Sequence, residues 1–200
     1  MRRGSLKWPV FVGCVLPVLW LIGRGITGDL GANPIEEITH ETGIWTFRFL
    51  LGTLAITPLC ALTAWSRLMS VRRMVGLFAF FYACLHFSTY LVLDWFFDFE
   101  AIIDDVVNRR YITAGFIGFA MLIPLALTST HAMLRRLGSR RWQQLHRLVY
   151  VSAIAGAAHF LWQEKADLQR PGIYIGCLAL LLGIRVWQRA RSRWRTRVSG

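Results

Sequence analysis

Long apolar runs separated by short polar segments dominate this sequence. Six runs carry almost no charge, and they cover residues 8–23, 45–65, 74–97, 112–130, 148–163 and 172–187. A helix needs about 20 apolar residues to cross the hydrocarbon core of a bilayer. Three of the runs are shorter, but flanking tryptophans and arginines can reach the headgroups and complete the crossing. The pattern predicts an all-α integral membrane protein, a bundle of six transmembrane helices that forms a single domain over residues 1–200.

Two of the connecting segments carry helix signals of their own. Asn33 is a favourable N-cap, Pro34 suits the first helical position, Glu36 the third, and Gly43 offers a stop, so a short surface helix is expected before the second span. Segment 99–107 mixes apolar and acidic residues. It is expected to lie on the outer membrane surface or to receive a partner.

Composition and charge agree with a membrane protein. Of the 200 residues, 55% are hydrophobic and 17% are charged, a balance that excludes an ordinary cytosolic domain. The net charge of +12 would suggest nucleic-acid binding in a soluble chain, but its distribution excludes that function. Sixteen of the 23 lysines and arginines lie in the N-terminal segment, the second loop, the fourth loop and the tail. Because cytoplasmic loops are enriched in these residues, both termini are predicted to be cytoplasmic.

The histidines carry the candidate chemistry. His86 lies 13 residues after Arg73 in the third span, and His159 lies 12 residues after Arg147 in the fifth. At about 1.5 Å rise per residue the two imidazoles have nearly equal depth, so they can face one another. Two facing neutral imidazoles are what a haem iron needs for axial ligation in an electron-transfer site. The simpler alternative is that the histidines only bond across helices or extend to an interface.

Small residues of the fifth span, Ala153, Gly156, Ala157 and Ala158, would admit a flat macrocycle. A further histidine, His146, precedes His159 by 13 residues on what is expected to be the same helix. That spacing separates two cofactors by about 19.5 Å along the helix but turns the two side chains about 140° apart. Two haems would therefore need a bend near Gly156 or positions on different flanks.

Other functions remain open at this point. A membrane transporter that uses histidines for a metal ion or a proton has the same residue types. The sequence contains no nicotinamide-binding glycine fingerprint after a strand, so a soluble electron donor would be a separate protein. Under the haem interpretation, the protein is an electron-transfer subunit with no substrate site of its own. Quinol within the membrane is then the other possible electron donor.

Four segments resemble a known family: Cys84-Leu85-His86-Phe87-Ser88-Thr89-Tyr90, Thr128-Ser129-Thr130-His131-Ala132-Met133, Trp142-Gln143-Gln144-Leu145-His146-Arg147-Leu148-Val149-Tyr150 and His159-Phe160-Leu161-Trp162. Residues 30–34 and 56–58 agree as well. Together these segments resemble the MsrQ (YedZ) family, the haem-binding membrane subunits of bacterial periplasmic methionine sulfoxide reductase systems. That family is part of the ferric-reductase-like transmembrane superfamily.

The resemblance implies a multi-pass haem b protein of the bacterial inner membrane, with FMN also associated with the family. It implies electron transfer from the quinone pool or a cytosolic flavin reductase to a periplasmic molybdenum-containing methionine sulfoxide reductase (MsrP type), which repairs oxidised periplasmic proteins. The nearer alternative within haem proteins is a quinol-oxidising anchor for some other reductase.

The resemblance also implies a set of iron ligands. Oxidase relatives hold two haems with two histidines on the third helix and two on the fifth, and His86, His146 and His159 match three of these places. The fourth place is Arg72, whose guanidinium has no lone pair for iron and suits a haem propionate, as does that of Arg73. The inner haem is therefore expected on His146, with His131, water or nothing as its sixth ligand.

Overall fold

The computed structural model describes residues 6–164 and 168–198, and the side chains within them except at positions 189 and 192–198. All regular elements of these ranges are helical. The α-helices are α1 Lys7–Thr27, α2 Pro34–Thr63, α3 Arg72–Thr89, α4 Phe99–Asn108, α5 Arg110–Leu127, α6 His131–Leu137, α7 Ser139–Leu145, α8 Leu148–Gln163 and α9 Gln169–Val198. A 3-10 turn at Ser66–Ser70 precedes α3, and a π-helical turn at Tyr90–Asp94 extends it.

Within the described part of the chain, five helices are long and apolar enough to cross a membrane: Lys7–Thr27, Pro34–Thr63, Arg72–Asp94, Arg110–Leu127 and Gln169–Gln188. The protein is thus a multi-pass membrane protein. The predicted span that is missing from these five is the fifth, α8, which has 16 residues and is therefore about 24 Å long, a little short of the hydrocarbon core. A bundle of six spans and the orientation of the termini remain predictions.

Two helix pairs, α2 with α3 and α5 with α8, form the centre of the bundle. Small side chains let these helices approach closely, because Ala79, Ala83, Ala153 and Ala157 are all buried between them. Gly156 is covered by the Phe47 ring, which would lie 3.4 Å from a Cβ at that position. These alanines and Gly156 therefore pack between the helices, and α8 runs without interruption from Leu148 to Gln163.

Helix α1 is joined to the bundle by an inserted hydroxyl group. The Tyr82 hydroxyl accepts a hydrogen bond from Val18 N at 3.0 Å and donates one to Cys14 O at 2.9 Å. Val18 N and Cys14 O are partners in an ordinary helix, and Pro17, which has no N–H, interrupts the ladder at this turn. The hydroxyl therefore bridges the two groups where the proline interrupts α1. This side chain from α3 is thus built into the backbone ladder of α1.

The prediction of a separate surface helix before the second span is wrong. Asn33 caps the helix as predicted, with its side chain accepting from Glu36 N, but α2 continues through Gly43 into the span. Gly43 is not a stop, because its missing side chain makes room for a ring from α3. The basic tail likewise continues α9 as far as Val198. The amphipathic segment is a helix, α4, with exposed Phe99 and Ile103 and buried Asp105.

Candidate functional site

The structure brings His86 of α3 and His159 of α8 together. Their ring centroids are 5.9 Å apart and their planes are inclined at 73°. Two metal–imidazole bonds of about 2.0 Å, with roughly 1 Å from each nitrogen to its ring centre, require about 6 Å between centres. The observed separation fits a single metal atom held between the two rings.

Each imidazole is oriented by a backbone carbonyl of a neighbouring helix. His86 Nδ1 lies 2.9 Å from Thr39 O, and His159 Nδ1 lies 2.7 Å from Tyr111 O. A carbonyl can only accept, so in the neutral rings both Nδ1 atoms carry the proton and both Nε2 atoms keep a lone pair. This is the tautomer that a metal-binding histidine adopts when its second nitrogen is held by an outer partner.

A glycine faces each ring. A Cβ at Gly43 would lie 3.0 Å from His86 Cε1, and a Cβ at Gly115 would lie 2.8 Å from His159 Nδ1. Each glycine follows the residue whose carbonyl accepts from the ring by four positions, which is about one turn. The two halves of the bundle therefore repeat one arrangement, in which a carbonyl and a glycine one turn apart hold an imidazole. The sequence contains these glycines, but nothing in its periodicity marks them as part of a site.

A polar network lies behind His159. Asp105 is buried, accepts a hydrogen bond from the Tyr90 hydroxyl at 3.0 Å and pairs with Arg109 Nε at 2.7 Å. Arg109 Nη1 in turn donates to the Tyr111 hydroxyl at 3.2 Å. The network thus fixes the residue whose carbonyl holds His159. Sequence reasoning missed it, although Asp105 and Arg109 have the spacing of four residues that brings side chains together on a helix.

His146 is not on the same helix as His159, so that expectation is wrong. It lies in the turn between α7, which ends at Leu145, and α8, which begins at Leu148. The Trp142 ring stacks on it with centroids 3.8 Å apart, and its Nε2 lies 3.2 Å from Thr128 Oγ1. The turn removes the angular conflict, since the direction of the His146 side chain no longer follows the periodicity of α8.

Charge and burial keep His146 neutral. Burial, together with the positive charges of Arg72 and Arg73, lowers the pKa of His146 to about 4. A neutral imidazole is the form that binds iron. His131 begins α6 with an exposed side chain. His40 lies in α2, where its Nε2 is 3.9 Å from Glu164 Oε2.

One further functional candidate was missed from the sequence, which placed Arg185 in the sixth span without a role. Its side chain is buried, and it donates from Nη1 to the Tyr150 hydroxyl at 2.6 Å and from Nη2 to Leu54 O at 2.7 Å. An ionisable group inside a membrane bundle is costly and commonly functional.

Known proteins are similar in sequence to this chain over most of its length. Residues 42–157 match the family described as ferric reductase like transmembrane component. The protein-methionine-sulfoxide reductase heme-binding subunit MsrQ of Rhodospirillum rubrum is 52% identical over 184 residues, which cover 92% of this chain and 88% of that protein. The subunits of the same name from Herminiimonas arsenicoxydans and Azospira oryzae are 52% and 49% identical, over 92% and 98% of this chain and 87% and 85% of their own length.

The family match contains His86 and His146 and ends two residues before His159, and the matches to the three subunits span nearly all of this chain. Similarity of this extent and level shows common membership. The chain belongs to the ferric-reductase-like transmembrane family and, within it, to the MsrQ family.

Proposed function

We propose that this protein is the haem-binding membrane subunit of a methionine sulfoxide reductase system and carries electrons across the bacterial inner membrane. The observation that carries the proposal is the His86–His159 pair, with ring centroids 5.9 Å apart and each Nδ1 on a backbone carbonyl. The relatives described above are named as heme-binding subunits of protein-methionine-sulfoxide reductase.

The chain's residues suit a b-type haem that exchanges single electrons and needs no open coordination position. His86 and His159 would hold the haem iron through Nε2, and a haem held by two histidines favours electron transfer over oxygen or substrate binding. The carbonyls of Thr39 and Tyr111 hold the rings in the binding tautomer and raise their basicity. Gly43 and Gly115 allow the rings to sit between the helices without displacement.

A second, inner haem is proposed on His146. Arg72 and Arg73 are close enough for their charges to act on that ring, which supports a role toward haem propionates. The Thr128 hydroxyl, 3.2 Å from His146 Nε2, must turn away when that nitrogen binds iron. The sixth ligand would be His131, water or nothing, so the inner site is expected to hold its haem more weakly than the outer site.

The direction of electron flow follows from the charge asymmetry of the chain. With the arginine-rich loops in the cytoplasm, His146 lies near the donor side and the His86–His159 pair near the periplasm. The donor would be the quinone pool or a cytosolic flavin reductase, with FMN suggested by family resemblance. The acceptor would be a periplasmic molybdenum-containing methionine sulfoxide reductase of the MsrP type, which holds the substrate site.

An absorption spectrum of the purified full-length protein tests the proposal. We expect a Soret band and, after dithionite reduction, the α band of low-spin haem b with two axial histidines. A protein without either band would be better explained as a transporter that uses histidines for a metal ion or a proton. A haem protein that copurifies with a different reductase would instead be a quinol-oxidising anchor.

A further inference from the structure

Arg185 of α9 is a buried cation with an unused edge. The residue is 9% exposed, and two of its three nitrogens are hydrogen-bonded, to the Tyr150 hydroxyl and to the fully buried Leu54. The third nitrogen, Nε, is buried and has no hydrogen-bond partner among the described residues. Nε–H and the second hydrogen of an adjacent Nη form the edge of a guanidinium that binds both oxygens of an oxyanion.

Among the described residues, no carboxylate pairs with Arg185, whose hydrogen bonds go to Tyr150 and Leu54. The described acidic residues lie in segments 29–41 and 94–105 and at Glu164. These positions are at the end of the bundle where α2 begins and α3 and α8 end, which is the opposite end from Arg72. Arg72 itself is close enough to Arg185 for the two positive charges to repel. A buried cation beside a second, half-buried one is unfavourable without a counter-charge.

Arg185 extends into the bundle and not outward, although it lies only three residues before its candidate span ends at Gln188. The carbonyl that Arg185 binds belongs to Leu54, nine residues before α2 ends at Thr63. Nine residues correspond to about 13 Å along the helix. The guanidinium thus points into the bundle, whereas an arginine that serves only as a membrane anchor extends outward to the headgroups.

We propose that Arg185 and Arg72 form a binding site for an oxyanion, a carboxylate or a phosphate, carried by a small molecule that enters the bundle beside α2, α3, α8 and α9. Tyr150 holds Arg185 in place from α8. If the oxyanion is a carboxylate, its source is a haem propionate, and the inference then rests on the proposed function. If it is a phosphate, its source is a phosphorylated ligand, and the inference is then independent of the proposed function.

Full-length protein in detergent provides the test, with Arg185→Gln as the main variant. Arg48→Gln is the matched control, because Arg48 Nε also donates to a tyrosine hydroxyl, that of Tyr174, but Arg48 is exposed. For the carboxylate source, each protein is loaded with haem or with haem dimethyl ester, whose propionates are blocked, and haem loss to apomyoglobin is timed. For the phosphate source, the shift in unfolding temperature on addition of inorganic phosphate is measured.

A propionate at the site predicts that Arg185→Gln loses haem at least about tenfold faster than the wild type and Arg48→Gln, the effect of unpairing a buried charge. The difference should vanish with the dimethyl ester. A phosphate at the site predicts instead that inorganic phosphate stabilises the wild type and Arg48→Gln but not Arg185→Gln.

The inference is overturned if Arg185→Gln behaves as the wild type in both assays, or if its faster loss persists with the dimethyl ester and phosphate has no effect. Should Arg185→Gln fail to fold, Arg185→Lys and Arg72→Gln take its place, since the first keeps the charge but removes the two-donor edge. A wild type that binds no haem would refute the proposed function alone, because the phosphate assay still decides whether this site exists.

Discussion

At the scale of single residues, glycine decides whether the imidazoles fit. A Cβ at Gly43 would lie 3.0 Å from the nearest atom of the His86 ring, and a Cβ at Gly115 would lie 2.8 Å from the nearest atom of the His159 ring. Both distances are shorter than ordinary van der Waals contact. We expect Gly43→Ala and Gly115→Ala to lower haem affinity by about 10–100-fold, the cost of disturbing the partners of a metal-binding histidine. Haem titration of the purified variants measures this.

Gly52→Ala is the control for these two variants. It lies in the same helix as Gly43, and its Cβ would make an ordinary contact of 3.7 Å with Val75. If Gly52→Ala loses as much haem as Gly43→Ala, the glycines act through helix packing and not through the rings.

The axial pair makes the most direct prediction. His86→Ala or His159→Ala leaves iron with one open position, so haem content should fall and electron delivery should stop. His40→Ala is the matched control, because it also removes an imidazole at this end of the bundle. The His40 ring differs in that its Nε2 lies 3.9 Å from Glu164 Oε2. The reduced spectrum and the haem-to-protein ratio report the outcome, and variants with full haem and an unaltered spectrum would rule this pair out.

The inner histidine makes a different prediction, because no histidine of α3 stands opposite it. In His146→Ala the haem-to-protein ratio should fall toward one while the outer signal persists. If His131→Ala removes the same haem, the inner site has two histidine ligands. If two identical spectra of haem with two histidine ligands persist in His131→Ala, the inner haem has a second histidine ligand in spite of Arg72.

At the scale of secondary-structure elements, α1 depends on one hydroxyl group. Tyr82 is 1% exposed and bridges Cys14 O and Val18 N. Tyr82→Phe should destabilise the protein by about 1–3 kcal/mol, because two buried backbone groups lose a partner. Thermal unfolding in detergent measures the loss, and the haem spectrum should not change.

Tyr174→Phe is the control for that variant, because it also removes one hydroxyl group, but from a contact with the exposed Arg48. Equal destabilisation in both variants would mean that the hydroxyl inserted into α1 has no special role in holding that helix to the bundle.

At the scale of the whole molecule, the distribution of charge predicts the orientation in the membrane. Sixteen lysines and arginines lie in the alternate segments that include both termini, and five lie in the others. A reporter that is active only in the cytoplasm should therefore be active when fused after Gly200. A cysteine at Asp104 should react with an impermeant reagent only from the periplasmic side, and labelling only from the cytoplasmic side would reverse the orientation.

Local signals sufficed for much of this molecule. Apolar runs predicted the long apolar helices, and the bounds of α8, Leu148–Gln163, agree with the run at 148–163, because a continuous apolar run of this length favours a buried helix. Equal spacing from the basic loops also predicted that His86 and His159 face one another. Both inferences depend only on the rise of a helix and the composition of neighbouring residues.

Contacts between distant segments were decided by the tertiary structure. The continuation of α2 through Gly43 depends on a ring 43 residues further along the chain, and the tautomers of His86 and His159 depend on carbonyls 47 and 48 residues away. Arg185 donates to the carbonyl of Leu54, 131 residues earlier. Periodicity describes one helix at a time, whereas these groups acquire a partner only when separate helices pack. The sequence alone therefore predicted the apolar helices and the facing pair of His86 and His159, but not the carbonyls and glycines around the two rings.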